Sequence, residues 1–140
     1  MSYHDQGAEY KYVELLVRRA VNGAATCDAV IDAYEQMARL VWDYVARLIG
    51  DGGTRAVMSR SVQVTGRACP RILAARVDWR SIDFSNFRTG TQRQDCTPDE
   101  ITDALSLFSV NIFRTLGELT GDILTAPLFA YLTKQVSEWG

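Results

Sequence analysis

A chain of 140 residues, 47% hydrophobic and 23% charged, has the size and composition of one globular domain, with enough apolar surface to fold without disulfides or metal. A net charge of −2 and a pI near 5.3 lie far from the basic footprint of most nucleic-acid-binding domains. The three cysteines, Cys27, Cys69 and Cys96, are odd in number and lack Cys-x-x-Cys spacing, which argues against a disulfide framework or a zinc site and suits reduced thiols in a cytoplasmic, bacterial protein.

In chain order, residues 1–7 read as a polar, flexible tail without the pattern of a signal peptide, and residues 8–140 as one helical domain. Residues 8–22 predict a first helix, with Tyr12, Leu15, Leu16 and Arg19 at helical spacing and Asn22-Gly23 as its stop. Residues 27–49 predict a long second helix capped by Thr26. One stripe runs through Val30, Tyr34, Met37, Val41, Tyr44 and Leu48, and another through Ile31, Ala38, Trp42, Val45 and Ile49. So wide an apolar face predicts a central helix, ended by Gly50-Asp51-Gly52-Gly53. Thr54 is placed to cap a third helix to about 65, and Pro70 to open a fourth over 70–79.

Residues 80–96 show no sustained period and read as an irregular segment pinned by Ile82, Phe84 and Phe87. Thr97-Pro98-Asp99-Glu100 is the clearest local signal: threonine cap, proline at the first helical position and a glutamate completing a capping box. The helix it starts runs to about 120, with Ile101, Leu105, Phe108, Ile112, Leu116 and Leu119 facing the core. Pro127 is expected to open the last helix, with Phe129, Leu132 and Val136 inward. The fold class is therefore all-α, a bundle of five or six helices, and no stretch approaches the roughly 18 apolar residues of a membrane span.

Charge is unevenly spread. Residues 50–96 carry eight arginines (Arg55, Arg60, Arg67, Arg71, Arg76, Arg80, Arg88, Arg93), no lysine and four acids, between two acidic ends. With Trp79, Phe84 and Phe87 this segment is one candidate nucleic-acid surface, for which Arg60, Arg67 and Arg71 are the facing residues. Pairing of these arginines with the chain's own acids or with a partner protein is the simpler reading.

Asp28, Asp32 and Glu35 share one helix face and suit either a hard cation or a solvated helix start; Glu118 and Asp122 are further acids that can join them. Gly52, Gly53 and Thr54, with Arg55 and Arg60, form a candidate site for a phosphorylated ligand or nucleotide at a helix start, although the Walker pattern is absent. His4 is the sole histidine and lies in the tail, so no histidine triad or histidine metal site is expected; catalytic residues, metal and cofactor are all read as none. Cys69 and Cys96 are the thiols with an electrostatic reason for reactivity. Trp42 and Tyr44, two residues apart on a helix, cannot share a face, which makes them interface candidates.

Leu48-Ile49-Gly50-Asp51-Gly52-Gly53, Ala56-Val57-Met58-Ser59-Arg60-Ser61, Leu116-Gly117-Glu118-Leu119-Thr120-Gly121 and Leu124-Thr125 resemble segments of small bacterial all-helical proteins. The resemblance implies helical architecture and carries no activity. The function expected is a regulatory or protein–protein interaction module that self-associates, with the phosphorylated-ligand and nucleic-acid readings as alternatives.

Overall fold

The computed structural model describes residues 10–139; the predicted tail and His4 lie outside them. The described residues form five helices: α1 (Lys11–Ala20), α2 (Cys27–Ala68), α3 (Ser85–Arg93), α4 (Pro98–Thr120) and α5 (Asp122–Ser137). A 3-10 turn at Pro70–Ala74 and two short antiparallel strands, β1 (Arg76–Val77) and β2 (Ile82–Asp83), join α2 to α3. The class is all-α, as the 3.6-residue periodicity predicts.

The central helix is α4, not the predicted 27–49 segment. Its hydrophobic residues Ile101, Leu105, Phe108, Ile112, Phe113 and Leu116 are buried, and so are Ser106, Ser109, Asn111 and Thr115 around its circumference. A helix covered on every side needs partners for its polar groups. Ser109 has the hydroxyl of Tyr34 at 2.6 Å, and the Asn111 amide donates to Thr65 Oγ1 at 2.9 Å. Burial pushes the Tyr34 hydroxyl above its ordinary pKa, so it stays neutral against Ser109.

The threonine cap at the start of α4 is realised, while the Glu100 carboxylate meets the Thr97 hydroxyl rather than the Thr97 backbone N–H of a full capping box. Glu100 N donates to Thr97 Oγ1 at 3.1 Å, and the Thr97 hydroxyl faces Glu100 Oε1 at 3.3 Å. Replacing Thr97 with alanine removes this bond and is expected to destabilise the domain by about 1 kcal/mol, read as a lower urea midpoint at unchanged slope.

Four boundaries differ from the sequence reading. The glycine run is no loop: only Gly50 leaves helical geometry (φ 79°, ψ 167°), and the second arm of α2 begins at Asp51. Thr54 is thus inside a helix, its hydroxyl donating to Gly50 O at 2.7 Å rather than capping. Pairings along the first arm rise with α4 (Cys27 beside Cys96, Tyr34 beside Ser109). Those along the second run opposite (Arg60 beside Glu118, Thr65 beside Asn111). The chain therefore turns back at Gly50 and clasps α4 between two arms.

The helix predicted over 70–79 is instead a single 3-10 turn and a hairpin, closed by Asp78 N donating to Ser81 O at 2.8 Å. The irregular segment at 80–96 contains α3. Asp83 Oδ1 accepts from Ser85 N at 2.9 Å at its start, and Phe87 and Thr91, one turn apart, are buried. Tertiary burial here overrides weak intrinsic propensity. Pro127 lies inside α5, which starts five residues earlier after Gly121 turns the chain at φ 65°.

Candidate functional site

The residues proposed for a phosphate do not converge. Asp51 stands at the helix start, accepts from Trp42 Nε1 at 3.2 Å and pairs with Arg80 at 3.4 Å, so a carboxylate occupies the ground where an anion would meet the dipole. Gly52 faces open space and Gly53 packs on Ile49. Thr54 is fully buried, Arg55 lies 4.0 Å over the Trp79 ring, and Arg60 reaches Glu118 at 3.7 Å. The side chains of this short stretch thus point inward, to the hairpin and to α4.

The acidic face of α2 receives an arginine. Arg88 donates to Asp28 Oδ1 at 3.2 Å, Asp32 Oδ1 at 2.8 Å and Glu35 Oε1 at 2.6 Å, and its side chain is 25% exposed. Partial burial opposes its charge, but the hydrogen bonds to Asp32 and Glu35 outweigh that and hold the guanidinium pKa above its ordinary value. Glu118 and Asp122 do not join this cluster; Glu118 faces Arg60 and Asp122 accepts from the Thr125 hydroxyl at 3.4 Å. In the sequence the three acids share one helix face, whereas Arg88 belongs to the arginine-rich middle segment. The signal that couples them is Phe84 and Phe87, whose burial fixes which way Arg88 points.

Most of the other middle-segment arginines are also engaged. Arg76 pairs with Asp78 at 3.3 Å and lies 3.9 Å from Asp83, Arg80 pairs with Asp51, and Arg71 Nη2 donates weakly to Gln94 Oε1 at 3.4 Å. Of the three aromatics considered for base stacking, Phe84 and Phe87 are core residues, because the hairpin and α3 fold back on α2; only Trp79 is exposed, at 70%. The interface candidates also turn into the fold. Trp42 is buried, and Tyr44 stacks on Tyr131 of α5 with ring centroids 5.1 Å apart. Their different faces are satisfied by two neighbours within one chain. Cys27 donates to Cys96 O at 3.2 Å, and burial, followed by the neighbouring Cys96 and Asp28, pushes its thiol pKa up.

Two features were not legible as sites in the sequence. The first is a groove of about 760 Å³ between the 3-10 turn, α3 and α4. Pro70, Ala74, Phe87, Ala104 and Leu107 give it an apolar lining, with Arg71, Gln94, Glu100 and Asp103 as its polar groups. The second is an apolar end of the bundle. Leu48 and Leu119, both predicted as core, are 54% and 66% exposed, and Ile123 is 77% exposed. They flank Gly50, where α2 turns, and Gly121, where α4 ends. The pairings Tyr44–Tyr131 and Arg60–Glu118 bring those two turns to the same end.

Among the described residues, no three histidine, cysteine or acidic side chains stand close enough together to hold a metal ion, and no helix is long and apolar enough to cross a membrane. No protein family, curated protein or solved structure matches the chain.

Proposed function

We propose that the chain is a protein–protein interaction module without catalysis of its own, and that it self-associates through the end of the bundle carrying Leu48, Leu119 and Ile123. The observation that supports this reading is the exposure of three large aliphatic side chains, each more than half open to solvent, at the same pair of turns. Contiguous exposed apolar surface is costly in water and marks contact surfaces in folded proteins. A patch that belongs to one end of the molecule suits a two-fold, self-complementary contact. Within the bundle Tyr34 has Ser109, Asn111 has Thr65 and Tyr44 has Tyr131 as partners, whereas Leu48, Leu119 and Ile123 extend from its end into solvent.

Sedimentation velocity from about 1 µM to about 100 µM, a range that brackets micromolar association, tests the proposal. The wild type is expected to sediment increasingly as a dimer. The double replacement Leu119→Glu and Ile123→Glu is expected to remain monomeric with an unchanged far-UV spectrum and nearly unchanged melting, because both side chains lie outside the core. A wild type that is strictly monomeric across the range would overturn the reading.

A further inference from the structure

The groove beside α3 carries an inference beyond self-association and independent of it. We propose that it is a binding site for a small organic acid with an apolar body, with Arg71 as the group that recognises the carboxylate. Three observations lead there. The groove has the size of small-molecule sites, about 760 Å³. Its lining includes the apolar residues Pro70, Ala74, Ala104 and Leu107.

Arg71 supplies the third. No carboxylate among the described residues stands within salt-bridge distance of it, in contrast to Arg60, Arg76, Arg80 and Arg88. Its Nε is closed off from solvent without an acceptor, and one Nη has only Gln94 Oε1 at 3.4 Å. A half-buried guanidinium so poorly matched has lost part of its hydration without gaining an equivalent partner. A carboxylate lying in the groove supplies that partner through the Nη groups, in the planar, forked geometry that arginine favours. The Gln94 amide, already oriented by Arg71, offers a further donor beside it.

The acids of the same groove do not serve Arg71. Asp103 is taken by Arg18 at 2.6 Å, and Glu100 belongs to the cap of α4. Their presence makes a prediction about selectivity. A dianion such as inorganic phosphate meets Glu100 as well as Arg71, so a monoanion with an apolar body is the better match. The arginines with carboxylate partners are spread over the hairpin, α3 and the second arm of α2. Arg71, without a carboxylate partner among the described residues, lies in a groove with an apolar lining, which is why this ligand class is favoured over nucleic acid.

Isothermal titration of the full chain with three compounds sharing one apolar body tests this: naphthylacetate, naphthylethanol and naphthylethylamine. Saturable binding of the acid is expected, at least about tenfold tighter than the alcohol, with the amine weakest, as a charge-assisted fork predicts. Arg71→Met is expected to bring the acid down to the affinity of the alcohol and leave the alcohol unchanged. Arg71→Lys is expected to keep part of the preference. Leu107→Trp, at a half-exposed position, is expected to fill the groove and abolish binding of both while the thermal melt stays close to wild type. Equal affinity for acid and alcohol would overturn the assignment, as would an undiminished acid preference in Arg71→Met. Absence of saturable binding of the acid at millimolar concentration would overturn it too, whatever the oligomeric state of the protein.

Discussion

Replacing Gly50 with alanine is expected to convert the folded chain into a strand-exchanged dimer in which α2 is one uninterrupted helix. At φ 79° and ψ 167°, Gly50 occupies a region of backbone space that is nearly closed to residues with a Cβ, at a cost of about 1–3 kcal/mol. Nothing lies within 4 Å of the place a Cβ would take, so the penalty is conformational and cannot be relieved by moving a neighbour. Alanine also favours the straight helix over glycine by about 1 kcal/mol. Together these shift the balance between turned and straight forms by about 2–4 kcal/mol toward the straight one.

A straight α2 cannot clasp α4 from both sides within one molecule, because the two arms run in opposite senses along it. Two molecules can exchange arms and keep every buried contact, which is the low-cost route that a hinge mutation opens. The measurement is size-exclusion chromatography with light scattering on Gly50→Ala in the Leu119→Glu, Ile123→Glu background, where association through the bundle end is absent. A dimer that does not dissociate on dilution is the expected result. A monomer of wild-type stability would show that the turn does not depend on glycine.

The second large effect is expected at Arg88. Removing its charge as Arg88→Met leaves Asp28, Asp32 and Glu35 facing one another on α2 without their shared partner. Exposed ion pairs contribute roughly 0–1 kcal/mol and breaking fully buried ones costs roughly 3–5 kcal/mol; a guanidinium that is one-quarter exposed and bonded to three carboxylates lies between, at about 2 kcal/mol. The loss is local before it is global, since Arg88 supplies the ion pairs that tie α3 to the acidic face of α2. Hydrogen exchange is expected to accelerate across Ser85–Arg93 while α4 keeps its protection. Arg88→Lys recovers only part, because an ammonium is a point charge and cannot fork among three carboxylates. Added salt should narrow the gap between wild type and Arg88→Met; a gap insensitive to salt would mean that packing of the stem, not charge, secures α3.

How far the sequence foretells this arrangement depends on whether each signal is local. The cap at Thr97, the inward face of α4 from Ile101 to Leu116 and the break at Gly50 are all written within a few residues, and all are present in the structure. Where position depends on distant partners, the reading falters. Leu48 and Leu119 keep helical phase with the core stripe, yet phase alone does not say where the neighbouring helices end. The α3 segment SNFRTGTQR contains glycine, threonine and asparagine, and becomes helical because Phe87 finds a buried place and Arg88 finds three acids more than fifty residues earlier. Pro127 punctuates as expected of proline but within the helix rather than before it, since Gly121 had already turned the chain. The groove was invisible for the same reason: its walls come from separate elements, and no single stretch of sequence holds them together.

The central position of α4 also has a consequence for biosynthesis. The ribosome releases the chain from the N-terminus, so α1, both arms of α2, the hairpin and α3 emerge before the helix on which the core is assembled. Val17, Tyr34, Met37, Val62 and their neighbours must wait for Phe108, Ile112 and Leu116 before they are covered, and during that interval the nascent polypeptide displays a substantial oily surface. Folding is therefore expected to be late and abrupt, completing only once the segment through Leu116 and the α5 core residues Leu128, Leu132 and Val136 have emerged.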